Sequence, residues 1–396
     1  MILNAEEQAL LRKRGSEILD DIIAWRRTLH AMPELRMETI KTEAFIVKTL
    51  QELGVEEYRT GIGGHGVCAV IRGVLPGKCL AIRADCDGLP IREETGLPFA
   101  SQNGNMHACG HDAHTAIALG AVKLLLEQRA RLRGIVKFIF QPYEEGDRGA
   151  SLMMEDGVLE NPHVDAIIAL HNHCAPDDSY RLGDVLVMDA PTSANIYAWE
   201  ATFHGPGSHV CLSRKTPSPV YMACDAVSQI AALPEPVSET INAVTVINGG
   251  ARNNIVPDSC TIAGSIRAFD TQLHRTMRNQ VTEILQQAAS RRNGSVEIKT
   301  TIDLMATQVD HALYTRFCET VDALYPERPS RPLKARDLIG EDFARYADRL
   351  PALYFFFHTR PDGSCYPMHN PKFDVDERVL DKASVLFTAF ALNWQA

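Results

Sequence analysis

The sequence predicts an α/β protein whose layered sheet is interrupted by a smaller α+β unit. Three observations carry that prediction. Short apolar runs bounded by glycine or proline alternate with helical stretches up to about residue 170, as expected of strands layered with helices. Between about 193 and 305 the order becomes β-α-β-β-α-β, the ferredoxin-like succession of elements. After about 305 the first texture returns. The expected organisation is a first segment 1–192, an insert 193–305 and a second segment 306–396.

The chain opens with helix. Ile18, Ile22, Ile23, Trp25 and Leu29 form an apolar stripe that Pro33 breaks. A second helix is expected over 42–53, with Gly54 as its C-terminal stop. Strands follow at 67–71 and 80–83, a helix at 114–128, a strand at 135–140, a short helix at 151–155 and a strand at 166–170. In the insert, 196–203 reads as strand, 220–233 as helix, and 243–247 and 260–268 as strands. Asp270 is placed to cap a helix whose one face carries Leu273, Met277, Val281, Ile284, Leu285 and Ala288. Asn293-Gly294 closes it, and 296–302 is the last strand of the insert.

Length and composition narrow the function classes. A chain of 396 residues fits two to three domains. The formal net charge of -10 and the lack of any basic run point away from nucleic acid and anionic membrane surfaces. The densest apolar cluster, LYFFF at 353–357, is strand-sized and far below the roughly 18 residues of a membrane span. The first residues, MILNAEEQALLRKRG, lack the apolar core of a signal peptide, so the expected location is cytoplasmic. The ten cysteines are scattered without a C-x-x-C pair, which suits free thiols in a reducing compartment.

Four stretches offer metal-type ligands. The first is Met106-His107-Ala108-Cys109-Gly110-His111-Asp112-Ala113-His114, which packs imidazoles, a thiol and a carboxylate between a loop and a helix start. If the segment is extended, Cys109 and His111 point the same way; the same residues also read as a polar loop that caps the next helix. The second is Gln141-Pro142-Tyr143-Glu144-Glu145-Gly146, directly after an apolar strand. Paired carboxylates there need positive charge beside them if buried, and by themselves they read equally as an exposed acidic turn. The third is Leu170-His171-Asn172-His173, and the fourth Tyr366-Pro367-Met368-His369-Asn370-Pro371. Ligand-bearing residues at carboxyl ends of strands match where α/β sheets place their sites.

These stretches, with RADCDGLPI (83–91), NNIVPD (253–258), GSIRAFD (264–270), GEDF (340–343) and YPMHNPKFDVDE (366–377), span most of the chain. They resemble the aminoacylase, hippurate hydrolase and indoleacetyl-amino-acid hydrolase family of two-metal metallopeptidase-like amidohydrolases. The resemblance implies a zinc-peptidase-like α/β/α catalytic domain in two segments, with a lid and dimerisation domain inserted. It implies two divalent ions per chain, zinc first among candidates, with manganese, cobalt and nickel as others. Cys109 bridges them as a thiolate, His111 and His171 complete one ion, and Glu145 and His369 complete the other. Glu144 becomes the general base, Asp87 orients a ligand histidine, and Asp112 is a weaker candidate for the same supporting role. From the lid, His209 of the partner subunit is expected to steady the oxyanion, Asn254 to lie near substrate, and Arg267 to clamp a carboxylate.

The implied reaction is hydrolysis of an N-acyl amino acid or similar small amide. A water bridging two cations loses a proton readily, Glu144 receives it, and the resulting metal-bridged hydroxide attacks the amide carbonyl. The partners expected are a small-molecule substrate and a second copy of the chain. Two departures from the family pattern fall in the lid. Arg214 stands where relatives carry a second histidine, and the loop before Gly249-Gly250 is about two residues short. Cys86 replaces a bulkier residue of relatives. Alternatives are a dipeptidase or carboxypeptidase on the same scaffold, a non-catalytic binding dimer, and a thiol sensor built on Cys109.

Overall fold

Asn4 opens the first helix with a reciprocal cap. Its side chain accepts the Glu7 amide N–H at 3.0 Å, and the Glu7 carboxylate accepts that of Asn4 at 2.8 Å. The computed structural model describes residues 3–175, 179–234, 239–363 and 366–395. Helices α1 (Ala5–Glu17), α2 (Leu19–His30) and α3 (Ile40–Glu52) lead into strands β1 (Glu57–Ile62), β2 (Gly66–Arg72) and β3 (Leu75–Asp85). Helix α4 (His111–Glu127), β4 (Arg133–Gln141), α5 (Gly149–Glu155), β5 (Ala166–His173) and β6 (Val185–Val187) complete this stretch.

The middle of the chain forms a separate unit. Strands β7 (Asn195–His204) and β8 (Ser208–His209) precede α6 (Pro219–Ala231), and β9 (Thr240–Gly249), β10 (Ile255–Val256) and β11 (Ser259–Ala268) precede α7 (Thr271–Ser290) and β12 (Ser295–Leu304). The long strands form an antiparallel sheet in the order β12-β7-β11-β9. That order, with one helix after the first strand and one after the third, is the ferredoxin-like arrangement. Its alternating strands bury Trp199, Phe203, Ile262 and Ile266 against Met222, Ala226, Val281 and Leu285 of the two helices. Strand β9 lies at the edge and exposes Val246 and Ile247, while β8 and β10 make a small ribbon of their own.

The chain then returns through α8 (His311–Leu324), β13 (Arg331–Pro332), the short α9 (Ala344–Ala347), β14 (Ala352–His358) and α10 (Leu380–Asn393). Residues 1–192, 308–335 and 345–396 cluster as one unit, and 193–307 with 336–344 as the other. The stretch 336–344, expected in the second catalytic segment, thus belongs with the insert. The larger unit holds a mixed eight-stranded sheet ordered β1-β2-β4-β3-β5-β14-β6-β13. Its centre, β4-β3-β5-β14, is parallel and almost wholly buried, as parallel strands covered on both faces must be.

Helix α4 is the pivot of that unit. Nearly every residue from His111 to Leu125 is buried, and a helix buried on all sides has no polar face to offer. It packs between α2, α10 and the sheet. At Gly120 a Cβ would sit 2.4 Å from Ser384 Oγ and 2.8 Å from Ile22 Cδ1, so glycine lets α2 and α10 close on it. The N-terminus of α4 is thereby fixed beside the carboxyl ends of β3, β4 and β5. Among the described residues, no helix is long and apolar enough to cross a membrane.

Candidate metal centre

Three adjacent parallel strands end together and deliver three of the motifs. Asp85 ends β3 and Asp87 follows it, Glu144 and Glu145 follow β4, and His171 lies near the end of β5. Cys109 and His111 enter from the start of α4, and His369 from the loop after β14. Cys109 is not part of an extended run. Gly110 between it and His111 has φ of 86°, and a Cβ there would meet Asn172 Nδ2 at 2.1 Å. Glycine is therefore required both by the left-handed backbone and by the space. The turn at Gly110 brings the Cys109 sulfur and the His111 ring to one place.

The donors fall into two groups that share Cys109. Its Sγ joins ring nitrogens of His111 and His171 in one group, and joins Glu145 and His369 in the other; within each, the donor atoms lie within 4.8 Å of one another. The Sγ is 3.3 Å from His171 Nε2, and His369 Nε2 is 3.4 Å from Glu145 Oε1. Both core histidines are oriented by backbone carbonyls. His111 Nδ1 donates to the Asp87 carbonyl at 3.0 Å, and His171 Nδ1 to that of Asn172 at 2.8 Å. A carbonyl only accepts, so Nδ1 carries the proton in each ring and Nε2 is left for a ligand.

Electrostatics fit a cation here. His111 Nε2 is buried without a hydrogen-bond partner, which is costly in a completed site. Burial disfavours charge on His111, but the negative charge of Asp85, and behind it Asp87 and Glu145, overrides burial and pulls its pKa up to about 10. A pocket that recruits a proton so strongly has negative charge to place against a metal ion. His171 is the opposite: burial, with the neighbouring His114 and His111, pushes it well below its ordinary value, so it is the neutral imidazole a metal takes. Burial also opposes ionisation of Glu145, yet the hydrogen bond from His369 and the charge of His111 lower its pKa.

Asp87 touches both His111 and the turn that carries the two glutamates. Its carboxylate lies 3.4 Å from His111 Nδ1 and accepts the amide N–H groups of Glu144 (3.1 Å) and Glu145 (3.2 Å). The two glutamates sit in a turn, with Tyr143 before them at φ of 63°. They do not diverge as neighbours on an extended strand would: carboxylate oxygens of both converge with His111. Glu144 is 8% exposed, and its Oε2 is 3.9 Å from His111 Nε2.

Asp112 is a correction. It turns away from His111 and His171 and binds Arg26 Nε at 2.8 Å and His30 Nδ1 at 2.7 Å. Residues not anticipated from sequence complete the surroundings. Arg83 pairs with Asp85 inside the protein, and Asp85 accepts from His114 Nδ1 at 2.5 Å. His114 Nε2 accepts the Asn172 amide N–H at 3.0 Å. Asp85, His111 and His114 also lie close enough for a metal, but both His114 nitrogens are already engaged, which makes it a brace. The signal available was Arg83-Ala84-Asp85: opposite charges at the end of an apolar strand need each other when buried.

In the smaller unit, His209 pairs across the β8–β10 ribbon with Ile255, and the Asn254 carbonyl accepts the Val210 amide N–H at 2.9 Å. Both side chains are exposed. His209 Nδ1 accepts from the Cys211 amide at 3.3 Å. Arg267 lies apart from that ribbon, on β11, where its Nη1 donates to the Leu338 carbonyl at 2.7 Å. Arg214 is exposed.

The family model for peptidase family M20/M25/M40 matches residues 81–393. The chain is 35% identical over 381 residues to an N-acetyl-L-cysteine deacetylase of Bacillus subtilis, covering 93% of this chain and 87% of the relative. It is 33% identical over 395 residues to thermostable carboxypeptidase 1 of Saccharolobus solfataricus, covering 97% and 98%. A crystal structure described as a dinuclear metal-binding peptidase of the M20 family from Bacillus subtilis superposes with a TM-score of 0.81 at 31% identity, over 95% of this chain and 98% of that one. With the family matched across most of its length, the chain belongs to peptidase family M20/M25/M40.

Proposed function

We propose that this protein is a metal-dependent amidohydrolase that cleaves the amide bond of N-acyl amino acids or closely similar small amides. The observation that carries the reading is the sharing of Cys109 between two donor groups. Cys109, His111 and His171 would hold one divalent ion, and Cys109, Glu145 and His369 the other. Thiolate and imidazole favour zinc, while the carboxylate also admits manganese, cobalt or nickel. Such ions, when bound, polarise the scissile carbonyl and make water acidic enough to lose a proton near neutral pH.

The chain's own groups do the rest. Glu144, nearly buried beside the donors, takes a proton from the attacking water and passes it to the departing amine nitrogen as the C–N bond breaks. Asp87 holds the turn that carries Glu144 through two amide hydrogen bonds. His209 and Asn254, exposed on one ribbon, are free to reach a substrate: His209 to donate to the oxyanion of the partner subunit's reaction and Asn254 to bind nearby. Arg267 would clamp a carboxylate with the donors that Leu338 does not occupy. The exposed Val246 and Ile247 on edge strand β9 support pairing of two copies through the smaller unit. The nine cysteines described are free thiols, which supports a cytoplasmic location.

The deacetylase likeness supports the N-acyl reading, and the carboxypeptidase likeness supports a second, peptide hydrolysis at the same centre. A panel of N-acyl amino acids and dipeptides, assayed with and without chelator, separates them. The proposal expects turnover of N-acyl amino acids that chelation abolishes and divalent ions restore. Chelation-resistant turnover, or cleavage of peptides alone, contradicts it.

A further inference from the structure

Arg26, on α2, is a buried cation near the centre with three carboxylate partners. It is 1% exposed. Its Nε donates to Asp112 at 2.8 Å, its Nη2 to Asp374 at 2.7 Å and its Nη1 to Glu377 at 3.1 Å. Phe99 lies against the guanidinium, 5.2 Å from centroid to Cζ. The acceptors belong to two different arms of the site. Asp112 follows His111 at the start of α4, while Asp374 and Glu377 follow the loop that carries His369.

Phe373 and Val375 seat the chain after that loop in the core, but the candidate ligand itself lies further out. The His369 side chain is half exposed, so packing does not hold it, and its backbone is left-handed with φ of 64°. A non-glycine residue stays in that region only where the surroundings enforce it. Enforcement comes through the backbone: the His369 N–H donates to the Ala108 carbonyl at 2.8 Å, the Pro371 carbonyl accepts the Glu94 N–H at 2.8 Å, and Arg26 anchors the next turn at Asp374 and Glu377. A planar guanidinium can satisfy three carboxylates at fixed angles, which an ammonium cannot do in the same place.

We propose that Arg26 is a positioning residue for the candidate metal centre: by joining Asp112 to Asp374 and Glu377, it holds the His369 arm in register with Cys109 and His111. The inference rests on the two-ion reading. Its consequence is asymmetric. Loosening the clamp spares the ion held by Cys109, His111 and His171, and weakens the one held by Glu145 and His369.

Cobalt(II) titration of the full chain tests this, following the thiolate-to-cobalt charge-transfer band and the ligand-field bands against a competing chelator. The variants are Arg26→Lys and the milder Asp374→Asn, which removes one arm at a partly exposed site and guards against a fold failure. Wild type takes up two cobalt ions. In both variants the first ion binds as in wild type with its thiolate band, and the second is weakened by about 10–100-fold, the usual effect of losing a supporting partner. Lysine does not rescue. Variants that bind both ions as wild type does, with only a lower melting temperature, overturn the clamp and leave the two-ion reading standing. Wild type that takes up fewer than two ions overturns that reading and the clamp with it.

Discussion

The Asp87 carboxylate accepts the Glu144 amide N–H at 3.1 Å, while the Asp87 main-chain carbonyl accepts from His111 Nδ1 at 3.0 Å. One residue thus sets both the turn of the proposed base and the ring of a proposed ligand. We predict that Asp87→Ala loses about 10–100-fold in metal affinity or turnover. It also loses about 1–3 kcal/mol of stability for each amide left unsatisfied. Asp87→Asn, which keeps an acceptor oxygen, should lie between it and wild type. Chemical denaturation beside steady-state kinetics checks both, and equal behaviour of the two variants would deny the carboxylate its role.

Glu144→Gln should keep the metal content and lose about 10²–10⁴-fold in kcat, the usual contribution of a general base. Because both glutamates converge with His111, the metal measurement is indispensable. A variant that loses an ion identifies Glu144 as a ligand, and one with near-normal turnover removes it from the mechanism.

Stability should fall at alkaline pH through His30. Burial opposes its charge, but Asp112, and then Glu93, outweigh burial and hold its pKa up at about 9 against an ordinary 6.5. A raised pKa gives stability that is complete below about 6.5 and is lost as pH rises through about 9. The amount at stake is on the order of 3 kcal/mol. Urea unfolding at a series of pH values between 6 and 10 should show this loss in wild type, and His30→Gln should flatten it. An unchanged slope in the variant assigns the pH dependence elsewhere.

Mixing two inactive variants tests the cross-subunit role of His209. Glu144→Gln subunits retain the ribbon histidine and His209→Ala subunits retain the base, so a heterodimer holds one complete site. Activity should return towards half the wild-type value per heterodimer, since losing an oxyanion donor costs about 10²–10³-fold. Verified subunit exchange without recovery rejects the assignment, as does a fully active His209→Ala enzyme.

What could be read from sequence follows the physics of contrast. The strands 67–71, 80–83, 135–140 and 166–170 were legible because apolar runs stop at glycine, proline or charge. Helix α10 was not, since it is buried on every side and so lacks a polar face to mark its period. Strand β1 was missed for the opposite reason: it is mostly exposed and polar. Helix α4 begins at His111, three residues earlier than its apolar pattern suggests, because its first residues are polar yet buried. The donor-rich motifs that the structure gathers were legible as chemistry. Beyond the Arg83–Asp85 pair on one strand, their bracing was not: His114 beside Asp85 and Arg26 beside Asp112 come from other elements, and residues 336–344 join the insert across a long sequence gap.

On the proposed reading, Cys109 serves two ions at once. The most direct measurement is metal content of never-chelated protein, by elemental analysis per chain, for wild type and Cys109→Ala. Two divalent ions are expected in wild type, and joint weakening of both with loss of activity in the variant. At most one ion in fully active wild type, or a variant that keeps both ions and full turnover, would contradict that reading.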